Sequence, residues 1–433
     1  MRAVRGPAPG PRTPRAIQLA RVLSPGPDYV EHLHERYGDA FVLHFESRPW
    51  TVLAHPDLIR EVFTARPEIV HAGEANEILR TALGAHSVLL LDGREHLRQR
   101  RLLLPPFHGE RLAAQRASME RIAAERVRRF PPGRDFALRP HMTAITLEII
   151  LETILGTDAG DERAAMAAPL TGLLEWFGGR SSLLPSVMFG PDNRFVIQHQ
   201  RRVLDPVFAE LERLIARRRG SGGLEDREDV LSMLLLARDE DGTGLTDAEL
   251  RDQLMTLMVA GHETTATALS WAFERLTRAP AALAQLEAEA RGGAQRAYAE
   301  AVCRETLRLR PVLNNVLRTL QAPLEVGGVV YPKGVVLAPS IVLVHRRGDI
   351  YPDPLAFRPE RWLGVTPGTY TWIPFGGGVR RCIGASFALQ EMEVVLQAVA
   401  RAVHLEPVGG DESPVPRFIT SAPSRGGMVR VAA

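Results

Sequence analysis

The segment from Pro374 to Ala385 sets stronger limits on this chain than any other. It reads PFGGGVRRCIGA, so that a run of glycines and two arginines precede Cys382 and a helical pattern follows it. Glycine has no Cβ and lets the backbone approach a flat partner closely. A cysteine thiolate is a strongly electron-donating ligand for iron, and the arginines can neutralise carboxylates. The segment therefore predicts a loop that holds a flat, anionic, iron-containing group.

An iron porphyrin has this shape and these charges, and the loop resembles, position by position, the haem-ligand loop of the cytochrome P450 superfamily. The matching residues are Phe375, Gly378, Arg380, Cys382 and Gly384. The resemblance implies that Cys382 is the axial metal ligand of haem b (iron protoporphyrin IX), and that Phe375, Arg380 and Gly384 bind the cofactor. The alternative is a buried structural thiol in a glycine-rich turn.

A second signal lies inside a long predicted helix, from about Thr246 to Arg278. Thr246 and Glu249 form a capping box at its start, and Pro280 follows its end. Its middle reads AGHETT over residues 260–265, although glycine costs about 1 kcal/mol there relative to alanine and threonine loses rotamer freedom. A local rule broken in mid-helix indicates a functional site, where a threonine hydroxyl leaving the backbone ladder opens a groove.

The resemblance implies that this groove holds dioxygen over the haem iron, with Ala260 and Gly261 bordering the cofactor. Thr264 would stabilise the bound oxygen by hydrogen bonding, and Glu263 would help to relay protons. A plain helix crossing with a small-residue contact is the alternative for the whole motif. His262 is a conceivable second iron ligand, but its position in the motif favours a structural or pocket-edge role.

His96 and Arg100 lie at i and i+4 on one predicted helical face. The resemblance implies that both contact the haem propionates, together with Arg380 and Arg318. The other arginines of this segment are expected to make the proximal face basic, which suits docking of an acidic electron-transfer protein. They are Arg94, Arg98 and Arg101.

Glu305 and Arg308 stand three apart on one helix face, a pattern that is common on solvated helices. The sequence PERW, which contains Arg361, follows about fifty residues later and precedes the cysteine loop. The resemblance implies that Glu305, Arg308 and Arg361 form a buried ion triad beneath the haem. We assign these residues a structural role, because deleting one partner of such a set leaves a buried charge unpaired.

Composition excludes several classes of protein. The formal net charge is +2 with no long block of one sign, so nucleic acid is not an expected partner. The two cysteines, Cys303 and Cys382, cannot make a disulfide framework and favour a reducing cytoplasm, with Cys303 as a small buried hydrophobe. No apolar run approaches the ~20 residues of a membrane span, and we expect a monomer without a membrane anchor.

The predicted fold is mainly α with a minor β portion. We expect a disordered or extended lead over residues 1–23 and one cytochrome P450-like domain over residues 24–433, with haem between the long central helix and the C-terminal cysteine loop. Further expected elements are helices over 109–129, 142–155, 299–309 and 385–403, the last with charge on one side only. A β-hairpin region is expected over 324–330 and 335–337.

The predicted function is that of a haem-thiolate monooxygenase that uses O2 to hydroxylate or epoxidise a lipophilic small molecule. A fatty acid, terpenoid, steroid or polyketide would fit, in bacterial secondary metabolism. Electrons would come from NAD(P)H through a separate ferredoxin or flavodoxin and its reductase, because the chain has no fused redox region. The mostly aliphatic segments expected to line the pocket are 69–91, 171–195, 257–265, 312–317 and 418–420, with Asn314 and Asn315 as polar exceptions.

Two other readings stay open. One is a haem-thiolate peroxygenase or isomerase, against which the Glu263–Thr264 pair argues, since such enzymes have less need of a proton relay. The other is a non-enzymatic haem-binding sensor, which the lack of a recognisable DNA-binding or signalling region makes less favourable.

Overall fold

The structure is a computed structural model that describes residues 8–22, 24, 28–44, 48–157, 160–178, 193–293, 295–417 and 419–432. It is mainly helical, with 56% helix and 11% strand, as the sequence predicts. The α-helices are α1 (Arg15–Val22), α2 (Asp28–Tyr37), α3 (Pro56–Thr64), α4 (Arg80–Leu83), α5 (Gly93–Leu103), α6 (Gly109–Ala114), α7 (Arg116–Val127), α8 (Leu138–Thr153), α9 (Asp161–Gly178), α10 (Arg194–Gly220), α11 (Val230–Leu236), α12 (Asp247–Leu276), α13 (Pro280–Gly292), α14 (Ala297–Leu309), α15 (Ile341–His345) and α16 (Ala385–Ala402).

The strands are short and form small sheets beside the helices. They are β1 (Ala40–Leu43), β2 (Trp50–Leu53), β3 (Val70–His71), β4 (Asp135–Ala137), β5 (Arg318–Leu320), β6 (Leu324–Val326), β7 (Val329–Tyr331), β8 (Val336–Pro339), β9 (Leu405–Pro407), β10 (Pro414–Arg417), β11 (Thr420–Pro423) and β12 (Met428–Val431). The largest sheet has the order β1-β2-β8-β5-β3, in which only β2 and β8 are parallel. The other sheets pair β10 with β11, β6 with β7, and β12 with β4 and β9.

Helix α12 is the centre of the helical part. Both halves of the predicted capping box are present, since the Thr246 side chain accepts from the Glu249 N–H while the Glu249 carboxylate accepts from the Thr246 N–H. The helix packs against α8, α10, α14 and α16 and against strand β11. Most of its residues are buried on these contacts, so the prediction of one long central helix is confirmed.

Residues 335–337 do not extend the predicted hairpin, because β6 and β7 close a hairpin of their own. Gly327 and Gly328 form its turn with φ of 59° and 77°, a left-handed conformation that favours glycine. The chain then turns again at Gly334, and β8 instead pairs with β2 and β5. The prediction is therefore right for residues 324–330 and wrong for residues 335–337.

Two further helices differ in their bounds from the predictions. The predicted helix over 109–129 is divided at Gln115 into α6 and α7. Helix α8 begins at Leu138, earlier than predicted, because the carbonyls of Gly427 and Gly426 accept the N–H groups of Leu138 and Arg139. Helices α14 and α16 agree with their predicted ranges to within two residues.

The N-terminal lead departs from the prediction at residues 15–22, which form α1. Gln18 is buried, and its side chain donates to the Thr13 carbonyl at 2.7 Å and accepts from the His44 N–H at 2.9 Å. The Val42 N–H also donates to the Pro9 carbonyl at 2.8 Å. The described part of the lead is thus tied to β1, while the domain boundary at residue 24 stays a prediction. In the described part of the chain, no helix has both the length and the apolar character of a membrane span.

Candidate functional site

The glycine-rich loop before Cys382 is shaped by contact with α3. Gly376 and Gly378 have φ of 66° and 64°, in the left-handed region that other residues avoid. A Cβ on Gly377 would lie 2.2 Å from the Phe63 ring, and one on Gly378 would lie 2.2 Å from the Phe63 carbonyl oxygen. These two glycines therefore allow the loop to pack on α3, while the expectation that the glycine run lets the backbone approach a flat cofactor stays a prediction.

Cys382 lies where the loop meets α16. Its N–H donates to the Phe375 carbonyl at 3.0 Å, and Gly384 caps the helix. The Cys382 side chain is exposed, yet protein surrounds it closely enough that burial raises the pKa of the thiol. The Gly384 N–H and the guanidiniums of Arg100 and Arg381 oppose this rise. The thiol therefore stands at an internal surface, where a bound cation would favour its thiolate form.

Cys303 gives the contrast. It is fully buried in α14, and burial raises the pKa of its thiol well above the ordinary value. It behaves as the small buried hydrophobe predicted from the sequence.

One face of α12 is open in the middle of an otherwise buried helix. Ala260 is exposed, and Gly261 and Thr264 are partly exposed. These positions share a face, because residues three to four apart lie one turn apart. We call the space that this face borders the interior cleft. Helix α12 packs against α16, the helix that follows Cys382.

The threonine hydroxyls of α12 bond within the helix. The Thr264 hydroxyl donates to the Ala260 carbonyl at 2.7 Å, and the Thr265 hydroxyl donates to the Gly261 carbonyl at 2.9 Å. Helix α12 is continuous through this region. The predicted departure of a threonine hydroxyl from the backbone ladder is therefore wrong, because both hydroxyls add a bond to it.

Glu263 is directed away from the interior cleft. Its carboxylate accepts from Arg139 at 3.2 and 3.4 Å and from Arg417 at 3.2 Å. Burial raises the pKa of Glu263, and the two guanidiniums oppose that rise. The sequence contains no local signal for either arginine, because they are 124 and 154 residues away along the chain.

His262 also faces away from the interior cleft, towards α8. Its Nε2 lies 3.1 Å from the Thr143 carbonyl oxygen, and burial lowers the pKa of the ring to about 4. This position agrees with a structural role and disfavours the alternative of a second iron ligand.

The structure brings the four predicted propionate contacts together. His96 is buried, its Nδ1 has no hydrogen-bond partner within the described structure, and burial lowers its pKa to about 3 with help from Arg380, Arg100 and Arg318. Burial and Arg380 also lower the pKa of Arg318 to about 10. We call these four residues the cation cluster.

Asp92 is the residue of this site that sequence reasoning missed. Its carboxylate accepts from Arg380 and from the N–H groups of Ala72, Gly73 and Glu74. Its position directly before α5, where an N-cap residue is expected, was the available signal. Within the described residues Asp92 is the one carboxylate that forms an ion pair with the cation cluster. The cluster therefore keeps a surplus of buried positive charge, which fits the two propionates of a haem.

The three residues of the predicted ion triad also come together, and the side chains of Glu305 and Arg308 are fully buried. The Glu305 carboxylate accepts from Arg308 Nε and Nη2, both at 2.8 Å, and from Arg361 Nε at 3.1 Å. Trp362 Nε1 at 2.9 Å and the Arg358 N–H at 2.8 Å complete its partners. We call this arrangement the Glu305 hub.

Two arginines of the expected basic docking surface, Arg98 and Arg101, are paired with carboxylates of this chain, and the docking surface itself stays a prediction. Arg98 donates to Asp239 at 2.6 Å and Glu249 at 3.1 Å, while Arg101 donates to Glu240 at 2.6 Å. The segment before α12 supplies Asp239 and Glu240, and the first turn of α12 supplies Glu249. Arg94 and Arg381 are exposed and have no carboxylate partner among the described residues. Their charges are therefore not offset by an ion pair in the described part of the chain.

Glu391 is a second residue that the sequence did not predict. It is fully buried on α16, so the expectation that this helix carries charge on one side only is wrong. Neither carboxyl oxygen has a hydrogen bond of good geometry to the described residues. Burial raises the pKa of Glu391 well above its usual value, with slight opposition from the nearby Thr265 hydroxyl. Burial therefore favours the neutral form of the Glu391 carboxyl.

Comparison with known proteins places the chain in a family. The cytochrome P450 family model matches residues 4–428. A relative from Mycobacterium tuberculosis named cytochrome P450 135B1 is 42% identical, covering 99% of this chain and 92% of its own length. Two solved structures share the fold at 23% identity: a retinoic acid-bound cyanobacterial CYP120A1, with a TM-score of 0.82 over 98% of this chain and 99% of that one, and the haem domain of cytochrome P450DA, with a TM-score of 0.84 over 99% and 98%.

The chain therefore belongs to the cytochrome P450 family. Its fold class and enzyme class are those predicted from the sequence, a single-domain haem-thiolate monooxygenase. Phe418 and residues 179–192, which belong to the predicted pocket segments, lie outside the described residues.

Proposed function

We propose that this enzyme hydroxylates or epoxidises a lipophilic small molecule such as a fatty acid, terpenoid, steroid or polyketide. It would use O2 and electrons from NAD(P)H through a separate ferredoxin or flavodoxin and its reductase. The observation that carries the proposal is the combination of an exposed thiol on an internal surface with a buried surplus of positive charge. A dianionic iron porphyrin satisfies both.

In this proposal each residue of the site has a defined task. Cys382 would bind the iron of haem b, and the cation cluster (His96, Arg100, Arg318 and Arg380) would hold the propionates. Bound haem supplies oxygen activation, which a thiolate ligand favours by donating electron density. The residues that border the cofactor are Ala260, Gly261, Phe375 and Gly384.

The remaining tasks concern protons, water and substrate. Thr264 is partly exposed towards the interior cleft and can present its hydroxyl there, while Glu263 exchanges protons from the other side of α12. A carboxyl whose pKa is raised by burial is suited to this exchange near neutral pH. Glu305, Arg308 and Arg361 assemble the region beneath the cofactor and take no part in the chemistry.

The substrate class is proposed from the segment over residues 312–317. It is aliphatic except for Asn314, which is exposed, and Asn315, whose Oδ1 has no hydrogen-bond partner within the described structure. An apolar lining with few polar groups suits a lipophile that carries one hydroxyl or carbonyl group. We also propose a monomeric cytoplasmic enzyme of bacterial secondary metabolism, to which Arg94 and Arg381 attract the acidic redox partner.

The first experiment tests the iron ligand. Reduced protein under carbon monoxide should show the red-shifted Soret band of thiolate-ligated haem, and Cys382→Ala should lose it. Cys303→Ala is the matched control and should keep it, because Cys303 is buried away from the site. Retention of the band in Cys382→Ala would refute the assignment.

A second measurement separates the reaction classes. Product formation that requires NADPH and a surrogate ferredoxin pair supports the monooxygenase. Product formation with hydrogen peroxide alone supports the peroxygenase, and haem binding with neither reaction supports the sensor.

A further inference from the structure

We propose that Arg139 and Arg417 are positioning residues that hold the Glu263 carboxylate in its ionised form, and that Arg417 makes this ionisation depend on the β10–β11 hairpin. The proposal rests on the proposed role of Glu263 in proton supply. It goes beyond that role because it assigns the control of Glu263 to two residues outside the central helix. We call the two arginines the Glu263 clamp.

The Glu263 clamp connects three elements of the fold. Glu263 is on α12, Arg139 is the second residue of α8, and Arg417 is the last residue of β10. Both guanidiniums reach the same carboxylate oxygen at 3.2 Å, and Arg139 also reaches the other at 3.4 Å. The Glu263 side chain is 12% exposed, whereas those of Arg139 and Arg417 are 17% and 26% exposed. The clamp therefore connects a buried carboxylate to the solvent.

The charges facing Glu263 act in one direction. Arg139 faces it from α8 and Arg417 from β10, and both favour the ionised carboxylate. His262, the neighbouring titratable group on α12, bonds to the Thr143 carbonyl and is neutral at ordinary pH. Burial alone opposes ionisation. Removing either arginine takes away part of the effect that lowers the pKa of Glu263, so the carboxyl should then bind its proton more tightly.

The two halves of the clamp belong to different elements. Arg139 lies in the first turn of α8, whose first N–H groups donate to the carbonyls of Gly427 and Gly426. Arg417 is the last residue of β10 and pairs with Thr420 of β11, whose hydroxyl donates to the Arg417 carbonyl at 2.8 Å. Strand β11 packs against α12, and Trp271 Nε1 donates to the Ser421 carbonyl at 2.8 Å. The position of Arg417 at Glu263 therefore depends on the hairpin, whereas Arg139 reaches Glu263 from α8.

The test measures the protonation of Glu263 directly. Infrared spectra of the haem-loaded protein would be titrated over pH, and the band of the protonated carboxyl would be assigned by its loss in Glu263→Gln. In Arg139→Gln and Arg417→Gln the midpoint of this band should move upward by about one pH unit, the lower end of the effect of a neighbouring opposite charge. Arg417→Lys keeps the charge and should stay closer to the wild type than Arg417→Gln.

Three further variants separate the clamp from general damage. Arg430→Gln is the matched control, because Arg430 pairs with Asp135 on the surface and should not move the midpoint. Thr264→Ala should not move it either, since the Thr264 hydroxyl bonds to Ala260. Thr420→Val removes the hairpin bond and should shift the midpoint upward by less than Arg417→Gln.

The outcomes decide the proposal and its parts. Equal midpoints in Arg139→Gln, Arg417→Gln and Arg430→Gln would overturn the clamp. A shift in both clamp variants with none in Thr420→Val would overturn the dependence on the hairpin. The carboxyl titration does not require turnover, so the failure of the monooxygenase proposal would be seen separately, in the carbon monoxide and NADPH experiments.

Discussion

The Glu305 hub and the cation cluster are both buried sets of charged groups, and they differ in how completely they are paired. The Glu305 carboxylate has partners on both oxygens, and Arg308 adds bonds to the carbonyls of His345, Pro354 and Ala356. The cation cluster pairs with a single carboxylate, that of Asp92, among the described residues. The Glu305–Arg308 pair at the centre of the hub is balanced in charge, whereas the three arginines of the cluster face one carboxylate in the described part of the chain.

This difference separates a structural role from a binding role in physical terms. Burying a charge without a partner destabilises the folded protein, and such charges are typical of functional sites. A completed set stabilises the fold only as long as every partner is present. We therefore expect substitutions in the hub to reduce the stability of the protein, and substitutions in the cluster to reduce its affinity for the cofactor.

The largest expected effect is in the hub. Glu305→Gln should lower the free energy of unfolding of the haem-free protein by about 3–5 kcal/mol, because it leaves Arg308 buried without its counter-charge. Denaturant-induced unfolding measures this. The control is Glu300→Gln on the same helix, where Glu300 forms an exposed pair with Arg304. Equal stability of the two variants would remove the distinction between hub and cluster.

The residues of both sets were proposed from the sequence through its resemblance to a family whose motifs are mostly short and local. The cysteine loop, the capping box of α12 and the Glu305–Arg308 spacing all depend on residues that are close along the chain. The bounds of α12, α14 and α16 followed for the same reason, since caps and prolines act within one turn.

The partners of these residues were not predictable, because folding brings them from distant segments. Asp239 reaches Arg98 across 141 residues, and Arg417 reaches Glu263 across 154. The burial of Glu391 depends on how α16 meets α12, for which its own sequence has no signal. Short sequence motifs thus pointed to the candidate site residues, whereas their ion pairs and burial depend on tertiary packing.

A smaller loss of stability is expected at acidic pH, where buried histidines that are neutral in the folded protein favour the unfolded chain. Burial lowers the pKa of His345, beside the hub, and of His96, in the cluster, to about 3 each. Between pH 6.5 and 3 the unfolded chain binds a proton at each site and the folded chain does not, so stability falls as the pH falls. At pH 5 the fully buried His345 alone should cost about 2 kcal/mol.

Comparison of haem-free and haem-loaded protein sharpens this prediction. Propionates beside His96 would favour its protonated form, so loading should remove the His96 part of the acid loss and leave the His345 part. Unfolding measured from pH 7 to 4.5, with His345→Gln and His96→Gln, tests this. The same dependence on haem in both variants would contradict it.

A still smaller effect is expected on the affinity of the cation cluster for haem. Arg318→Met removes a buried cation that has no carboxylate partner among the described residues. The haem-free protein should be as stable as the wild type or more so, while haem should dissociate about tenfold faster, equivalent to ~1.4 kcal/mol. Haem transfer to apomyoglobin measures the rate. Arg310→Met removes a buried arginine stacked on Trp271 and should leave the rate unchanged. Equal rates in the two variants would contradict the proposed propionate contact.

The smallest effect extends the comparison to the surface, where paired and unpaired arginines share α5. Arg94→Glu should slow reduction by an acidic ferredoxin about threefold at low salt, because Arg94 has no carboxylate partner among the described residues and its charge is free to steer encounter. Exchange of the charges of the Arg101–Glu240 pair (Arg101→Glu together with Glu240→Arg) should have less effect, since the pair stays neutral. Stopped-flow reduction measures both, and the difference should shrink at 0.5 M salt, where the screening length falls to about 4 Å. Reduction by dithionite should be equal in both variants. If ferredoxin reduced them at equal rates at every salt concentration, the docking surface would lie away from α5.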